Sequence, residues 1–290
     1  MQPTTTLPRP RVHIAGEMME TPFGSIHVET YGNPMHPSIV LLHGGAQSGR
    51  CWRKQIGALS QRYSLIVPDL PGHGLTQVSS PITPKLLADS VHMVLDHYNL
   101  TERGAVLVGW SWGGMVIRNY LLAYGKEHVR GIVLTGTTLD FLEWFQRPEM
   151  QAVMDTIGDM FLSSDPQART KAFMEFTNRL TYIKPEEDEY YLALGYNALC
   201  FFQGGLSPDL MQVVEDTQGD LYKGLPPTLI IQGQQDALCN VIVGREEHKR
   251  LAGSIYHEYS QCGHSAFLEH AEQFNHDLLA YMDALAKEVR

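Results

Sequence analysis

Short apolar runs recur along the chain and predict buried strands. Within each run the consecutive residues are apolar, which is typical of strands that are covered on both faces of a parallel sheet. Five clear runs and a less apolar sixth occupy residues 38–42, 64–67, 105–108, 131–134, 228–231 and 254–259. Two shorter strand-like pieces precede them at 16–20 and 26–31, and residues 21–24 have the composition of a turn.

Helical periodicity fills the intervals between these runs. Residues 84–98 carry leucine and valine at helical spacing and follow Thr83, a residue type that often caps helix N-termini. Residues 115–124 and 267–286 are predicted to form two further helices. Strands that alternate with helices predict right-handed crossovers, and therefore a mostly parallel sheet with helices on both faces.

The alternation stops over residues 140–224, where helical patterns occur without strands. We interpret this region as a helical insertion that forms a lid over the carboxyl ends of the strands, where ligands bind in open α/β sheets. The predicted organisation is a first part of the core at 1–139, the lid at 140–224, and a second part of the core at 225–290.

The charge and the cysteine content of the chain indicate which classes of partner it can bind and in which compartment it works. The net charge is −10 and lysine and arginine do not cluster, so we expect neither nucleic acid nor a membrane as partner. The charge itself says little about the small-molecule substrate that we expect on other grounds. The four cysteines match no metal motif or disulfide framework, and we find no secretory signal and no membrane-spanning apolar run. These features predict a cytoplasmic protein, while no pattern indicates the oligomeric state.

One motif carries the chemistry. Gly109-Trp110-Ser111-Trp112-Gly113 is a G-x-S-x-G sequence placed directly between an apolar strand and a helix. In that context the chain must turn sharply and expose the serine hydroxyl, and the two glycines leave room where side chains would collide. The sequence therefore predicts that Ser111 is a nucleophile.

A serine nucleophile needs a base, and the base needs an acid that orients it. Among the 13 histidines, His264 is best placed, because it lies in the loop between the last predicted strand and the final helix. Asp236 follows the strand at 228–231, which gives the chain order Ser, Asp, His of α/β-hydrolases. Asp140, after the strand at 131–134, is the competing acid.

An oxyanion hole needs two N–H donors that are already in position. The backbone N–H of Trp112 is the first candidate, and the loop at 43–48 supplies the second. Within that loop we expect the donor to be Ala46, with Gly45 as the alternative. We interpret His43 in the same loop as a structural residue that is hydrogen-bonded within the loop.

The chain resembles the α/β-hydrolase superfamily, in the branch of lidded esterases, lactonases, cofactor-free perhydrolases, proline iminopeptidases and carbon–carbon bond hydrolases. The segments that carry the resemblance are His43–Ser48 with Trp52, Pro68–Gly74, Gly109–Gly114, and Gly263-His264 with Glu269. The resemblance implies an eight-stranded sheet, the catalytic roles given above, and a structural loop shaped by Asp69 and Gly72–Gly74. The resemblance implies an aspartate at the nucleophile position in the dehalogenase and epoxide-hydrolase branches. Position 111 is a serine, which argues against both branches.

The expected reaction passes through an acyl-enzyme and requires no cofactor and no metal. Aromatic residues and methionines abound in the predicted lid, so we expect a largely apolar ester, thioester or lactone as substrate. The candidate pocket residues are Trp110, Phe141, Trp144 and Phe145, and Trp110 has an alternative role as a support of the turn at the serine. Carbon–carbon or amide cleavage, perhydrolysis, natural-product tailoring and a non-enzymatic ligand receptor are the alternative functions.

Overall fold

The fold is built on a single β-sheet. A computed structural model of the chain describes residues 15–140, 144, 146–184 and 221–288. The strands in chain order are β1 (Glu17–Thr21), β2 (Gly24–Tyr31), β3 (Ser38–Leu42), β4 (Ser64–Pro68), β5 (Gln77–Val78), β6 (Ala105–Trp110), β7 (Val129–Thr135), β8 (Thr228–Gly233) and β9 (Ile255–Tyr259). They form one sheet in the order β1-β2-β4-β3-β6-β7-β8-β9, and β5 pairs with β2.

Strand direction follows the predicted crossovers. β2 pairs antiparallel with β1, β4 and β5, and every pairing from β4 across to β9 is parallel. Apart from β5, the sheet has the eight strands that the resemblance implied. The two-residue β5 is a ninth strand, and no apolar run in the sequence predicted it. All six predicted apolar runs are strands, and the mostly parallel α/β architecture is confirmed.

The burial of the strands explains why the sequence pattern predicted them. Every residue of β3, β4, β6 and β8 is buried, which requires apolar side chains on both faces. β9 ends the sheet order and is only partly buried, so it tolerates polar residues. One of them, Glu258, pairs with the exposed Arg245, and charged side chains on an edge strand discourage pairing with other chains.

Helices cover both faces of the sheet. They are α1 (Arg53–Leu59), α2 (Pro84–His97), α3 (Leu100–Arg103), α4 (Trp112–Tyr124), α5 (Gln151–Leu162), α6 (Pro166–Arg179), α7 (Val241–Arg250), α8 (Ala266–Glu269) and α9 (Ala271–Glu288). α2 packs against α4, and α1 packs against α9. The chain crosses from β3 to β4 in one direction and from β4 to β6 in the other, so right-handed connections put α1 and α2 on opposite faces.

Two helix boundaries differ from the sequence expectation. α4 begins at Trp112, three residues before the predicted start, because the helix follows Ser111 directly. The predicted helix at 267–286 is two helices, since His270 adopts non-helical dihedral angles (φ −122°, ψ 50°) between α8 and α9. The cap at Thr83 is as expected, with its side chain accepting the N–H of Leu86.

The predicted lid is described only in part. α5 and α6 are helical, as the pattern in this region indicates, and residues 185–220 lie outside the described residues. The assignment of 140–224 as a lid therefore stays a prediction. Within the described part of the chain, no helix is both long and apolar enough to cross a membrane.

Candidate active site

Ser111 occupies a strained turn between β6 and α4. Its dihedral angles are φ 50° and ψ −115°, a region that residues with a side chain rarely adopt. The side chain of a serine at a helix N-cap usually accepts a backbone N–H, but the Ser111 side chain makes no such bond to α4. The turn thus leaves the hydroxyl uncommitted to its own helix, on a residue that is partly exposed between buried neighbours.

The glycines of the motif are required by close backbone contacts. A Cβ on Gly113 would lie 2.4 Å from the carbonyl oxygen of Leu42, and one on Gly109 would lie 2.7 Å from the carbonyl carbon of Gly113. Both distances are shorter than any real Cβ contact. The two glycines therefore leave the room that the sharp turn needs, as the sequence predicted.

His264 lies in the loop after β9 and is 2% exposed. Its Nδ1 is 2.8 Å from Oδ2 of Asp236. Because a carboxylate oxygen only accepts hydrogen bonds, Nδ1 is the donor of this bond, and in the neutral imidazole the lone pair is then on Nε2. The histidine is therefore in the tautomer that a general base at Nε2 requires.

Asp236 is held by four hydrogen bonds. Its Oδ1 accepts the backbone N–H groups of Leu238 (2.8 Å) and Cys239 (2.7 Å), and its Oδ2 accepts from Gln232 Nε2 (3.0 Å) and His264 Nδ1 (2.8 Å). The carboxylate side chain is fully buried. Such a group has one orientation available, so it also fixes the plane of the imidazole.

Asp140, the competing acid, has other partners. It forms an ion pair with Arg250 and lies 4.0 Å from the guanidinium of Arg118. Its carboxylate is therefore directed at the cations of α4 and α7. Of the two candidate acids, Asp236 is the one that contacts the histidine.

The serine and the histidine both lie against the segment that follows β7. The Ser111 N–H donates to the carbonyl of Thr135 at the end of β7 (3.1 Å). The next residue, Gly136, lies against the histidine, because a Cβ there would be 3.0 Å from His264 Nδ1. Ser111 and His264 therefore border the same two-residue segment at the carboxyl edge of the sheet.

The loop after β3 packs on the N-terminal end of α4. Ala46 is fully buried and has a positive φ of 56°, an uncommon conformation for a residue with a side chain. A Cβ on Gly45 would lie 3.9 Å from Cβ of Trp112, so this loop borders the first residue of α4. The N–H groups of a first helical turn have no partner inside the helix, which makes this junction suited to bind an anion.

His43 has a structural environment, in keeping with the sequence interpretation. Its ring lies 2.8 Å from the carbonyl of Gly44 through Nδ1 and accepts the N–H of Leu70 (2.9 Å) through Nε2. Burial lowers the pKa of His43, so the ring is neutral. The second partner belongs to the loop after β4, so His43 joins two loops.

The loop after β4 is organised by Asp69. Its carboxylate accepts the N–H groups of Gly49 (2.7 Å) and Leu75 (2.9 Å) and pairs with His27 Nδ1 (2.9 Å). A Cβ on Gly74 would lie 2.2 Å from the Asp69 carboxylate, at a φ of +54°. This geometry agrees with the structural role that the resemblance implied for Asp69 and Gly72–Gly74.

The candidate pocket residues differ in placement. Trp110 is 1% exposed, and its indole N–H donates to the carbonyl of His264 (2.9 Å), which favours the supporting role over the pocket wall. Trp144 is 4% exposed and lies under the guanidinium of Arg147, whose charge is 4.2 Å from the ring centre. Phe141 and Phe145 lie outside the described residues.

One residue at the Ser111 turn, Thr137, was not predicted from the sequence. The hydroxyl of Thr137 donates to the backbone carbonyl of Ser111 (2.7 Å), and a Cβ on Gly114 would collide with that hydroxyl. Thr137 thus ties the segment after β7 to the nucleophile turn. Its only signal in the sequence is a position just beyond a predicted strand.

Comparison with known proteins fits this geometry. A family model of the alpha/beta hydrolase fold matches residues 37–271. The chain belongs to the α/β-hydrolase fold family.

Several relatives of this α/β-hydrolase are named esterases. It is 26% identical to a pimeloyl-acyl-carrier-protein methyl ester esterase of Chromobacterium violaceum, over 90% of this chain and 100% of that protein. It is 29% identical to a protein of the same name from Nitrosomonas europaea, over 86% of this chain and 96% of that protein. A crystal structure of an esterase from Rhodococcus sp. ECU1013 superposes with a TM-score of 0.74 at 27% identity, covering 90% of this chain and 96% of that one.

These matches extend over nearly the whole chain rather than over one motif. Together with the family match they make the chain an enzyme of the α/β-hydrolase type, as the sequence predicted.

Proposed function

We propose that this α/β-hydrolase is a serine hydrolase that cleaves an ester, thioester or lactone of a largely apolar small molecule. The observation that carries the proposal is the hydrogen bond from His264 Nδ1 to the buried carboxylate of Asp236, next to the strained turn at Ser111. Several relatives of similar length are named esterases, which supports ester cleavage.

The proposed reaction begins with attack of Ser111 Oγ on the carbonyl carbon of the substrate. The hydroxyl proton passes to Nε2 of His264, and Asp236 stabilises the imidazolium that results. The carbonyl oxygen becomes an oxyanion, which accepts hydrogen bonds from the N–H groups of Trp112 and Ala46, with Gly45 as the alternative to Ala46. The junction between the 43–46 loop and α4 supports this assignment, because the loop borders the first turn of the helix.

The intermediate collapses when the bond to the leaving group breaks. His264 donates its proton to the departing alcohol or thiol, and an acyl ester remains on Ser111. A water molecule then loses a proton to His264 as it attacks this ester, and the carboxylic acid leaves while Ser111 regains its proton. Every proton transfer uses the one histidine, so no cofactor is needed.

The preference for an apolar acyl group rests on the composition of the predicted lid. Aromatic residues and methionines are frequent between 140 and 224, and ligand pockets are mostly apolar. The proposal covers a neutral substrate of moderate size. The two relatives named for a pimeloyl-acyl-carrier-protein methyl ester support cleavage of an ester bond, while the substrate in their name is attached to a carrier protein.

Labelling with a fluorophosphonate probe tests the proposal directly. The probe should modify the wild type and Ser79→Ala, whose serine is exposed and lies near β5, but not Ser111→Ala. On a panel of p-nitrophenyl esters of increasing acyl length, Ser111→Ala should lower kcat by about 10⁶-fold while the protein stays folded. Equal labelling of wild type and Ser111→Ala would refute the assignment of the nucleophile, and absence of labelling in the wild type would refute the proposed function.

A further inference from the structure

Glu269, at the end of α8, binds the loop that carries His264. Its Oε1 accepts the backbone N–H groups of Gly263 (3.0 Å) and Ser265 (3.4 Å), the two residues that flank the histidine. The carboxylate therefore fixes the backbone on both sides of His264.

The other oxygen of the same carboxylate binds a second segment. Its Oε2 accepts the N–H groups of Tyr182 (2.8 Å) and Ile183 (2.9 Å), which follow α6 within the predicted lid. These N–H groups and those of the histidine loop approach the two oxygens of a single planar group. A carboxylate that accepts from backbone N–H groups forms charge-assisted hydrogen bonds, which are the stronger kind.

Direct packing joins the same two segments. A Cβ on Gly263 would lie 2.5 Å from the nitrogen of Tyr182 and 2.9 Å from the carbonyl carbon of Thr181, so only glycine allows this approach. Nearby, Arg179 Nη1 is 3.5 Å from the carbonyl of Ala237, the residue after Asp236. The chain from Arg179 to Ile183 thus lies on the loops of both the histidine and the acid.

We propose that Glu269 is a positioning residue that couples the segment 181–183 of the predicted lid to the His264 loop. Because its two oxygens are rigidly linked, a displacement of Tyr182 and Ile183 reorients the carboxylate and loosens Gly263 and Ser265. His264 is then held for proton transfer only while the segment 181–183 is in place. The catalytic part of this inference rests on the proposed function, and the coupling of the two segments does not.

Two variants separate this coupling from a local structural role. Glu269→Ala removes all four hydrogen bonds, and Glu269→Gln retains the shape but turns one acceptor oxygen into a donor nitrogen. Glu272→Gln is the matched control, because Glu272 is exposed in the first turn of α9. Hydrogen exchange of the amides in 181–184 and 262–266, together with kcat, KM and the rate of fluorophosphonate labelling, is measured on the full chain.

Amide exchange in both segments is expected to rise together in Glu269→Ala and Glu269→Gln, and to stay at the wild-type level in Glu272→Gln. The labelling rate and kcat should fall by about 10- to 100-fold, the scale for a misplaced catalytic group, with a much smaller change in KM. Exchange that rises in only one segment, or labelling at the wild-type rate in Glu269→Ala, would overturn the inference. If the wild type itself is not labelled, the proposed function fails, and the exchange data still decide whether the segments are coupled.

Gly263→Ala gives an independent approach to the same contact. The added methyl group displaces Tyr182 while Glu269 is intact, so kcat should fall by a similar factor. Since both changes break one contact, the double variant Gly263→Ala/Glu269→Ala should lose no more activity than the worse single variant. Losses that multiply would show that the two residues act separately, which contradicts the proposed coupling.

Discussion

Trp110 donates its indole N–H to the backbone carbonyl of His264, across 2.9 Å, and so connects the residue before the nucleophile to the base. The same ring packs edge-on against Phe267, with 4.8 Å between ring centres, and a Cβ on Gly44 would lie 2.9 Å from it. Trp110 therefore touches the loops of the nucleophile, the histidine and the candidate oxyanion hole. This relationship makes it a support that three parts of the site share.

Replacing Trp110 by phenylalanine tests this support. Trp110→Phe leaves the buried His264 carbonyl without its partner, which should lower the free energy of unfolding by about 1–3 kcal/mol and reduce kcat by about tenfold. Trp52→Phe is the control, since Trp52 is a fully buried tryptophan beside Phe267 whose indole N–H has no hydrogen-bond partner among the described residues. Urea unfolding and ester hydrolysis measure both effects, and equal losses of activity in the two variants would contradict the supporting role.

Asp236 and Asp140 should differ sharply on substitution. Asp236→Asn keeps the size of the side chain but no longer favours the tautomer with the proton on His264 Nδ1, so kcat should fall by about 10⁴-fold. Asp140→Asn weakens pairs with Arg250 and Arg118 and should alter kcat only a few-fold. The measurement is steady-state hydrolysis of the best ester from the panel. The reverse ranking would move the orienting acid to Asp140.

The sequence could name both acids but rank them only by their local turns. Asp140 and Asp236 each follow a strand whose carboxyl end lies at the same edge of the sheet. The groups that separate them are remote in sequence, since Arg118 is on α4, Arg250 is on α7 and His264 follows β9. Such pairings depend on how the elements pack, and single-sequence patterns do not encode that packing.

The core strands were predictable because full burial leaves a continuous apolar pattern. β5 and the break at His270 were not, because a two-residue strand and a single non-helical residue leave no periodic signal. The G-x-S-x-G motif predicted the strained turn, since only a sharp strand-to-helix connection needs glycine at both flanking positions. The sequence left the role of Trp110 undecided, because a residue in the pocket wall and a residue that supports the turn at the serine both need an apolar side chain.

The motif glycines give a prediction about stability. Gly113→Ala places a methyl group 2.4 Å from the Leu42 carbonyl, which should lower the free energy of unfolding by about 1–3 kcal/mol and impair labelling of Ser111. Gly57→Ala, in α1, meets no atom within 4 Å and should instead stabilise the protein by about 0.5–1 kcal/mol. Denaturant midpoints of the two variants measure the contrast. Equal shifts in the same direction would mean that the contact with Leu42 does not constrain the turn.

The pair between His27 and Asp69 predicts how stability varies with pH. Both ring nitrogens of His27 face acceptors, with Nδ1 2.9 Å from Asp69 Oδ2 and Nε2 2.7 Å from the carbonyl of Ala15. Only the protonated imidazolium can donate to both of them. The hydrogen bond with Asp69 outweighs burial and raises the pKa of His27 above its ordinary value of 6.5.

A raised pKa in the folded state means that the folded protein binds this proton more tightly than the unfolded chain does. The stabilisation is therefore fully present below pH 6.5 and is lost as the pH rises through the folded-state pKa of His27. Asp69 acts in a different range, because its pKa is lowered, despite burial, by the bond with His27, and its contribution is lost only as the pH falls through that lowered value.

We therefore expect the free energy of unfolding of the wild type to decrease above pH 6.5 relative to that of His27→Gln, which lacks the titrating group. His276→Gln is the control, because His276 is exposed in α9. Urea unfolding of the three proteins at several values between pH 6 and 9 separates the contribution of His27 from those of the other histidines. A constant difference between wild type and His27→Gln across this range would show that His27 does not carry the extra proton in the folded state.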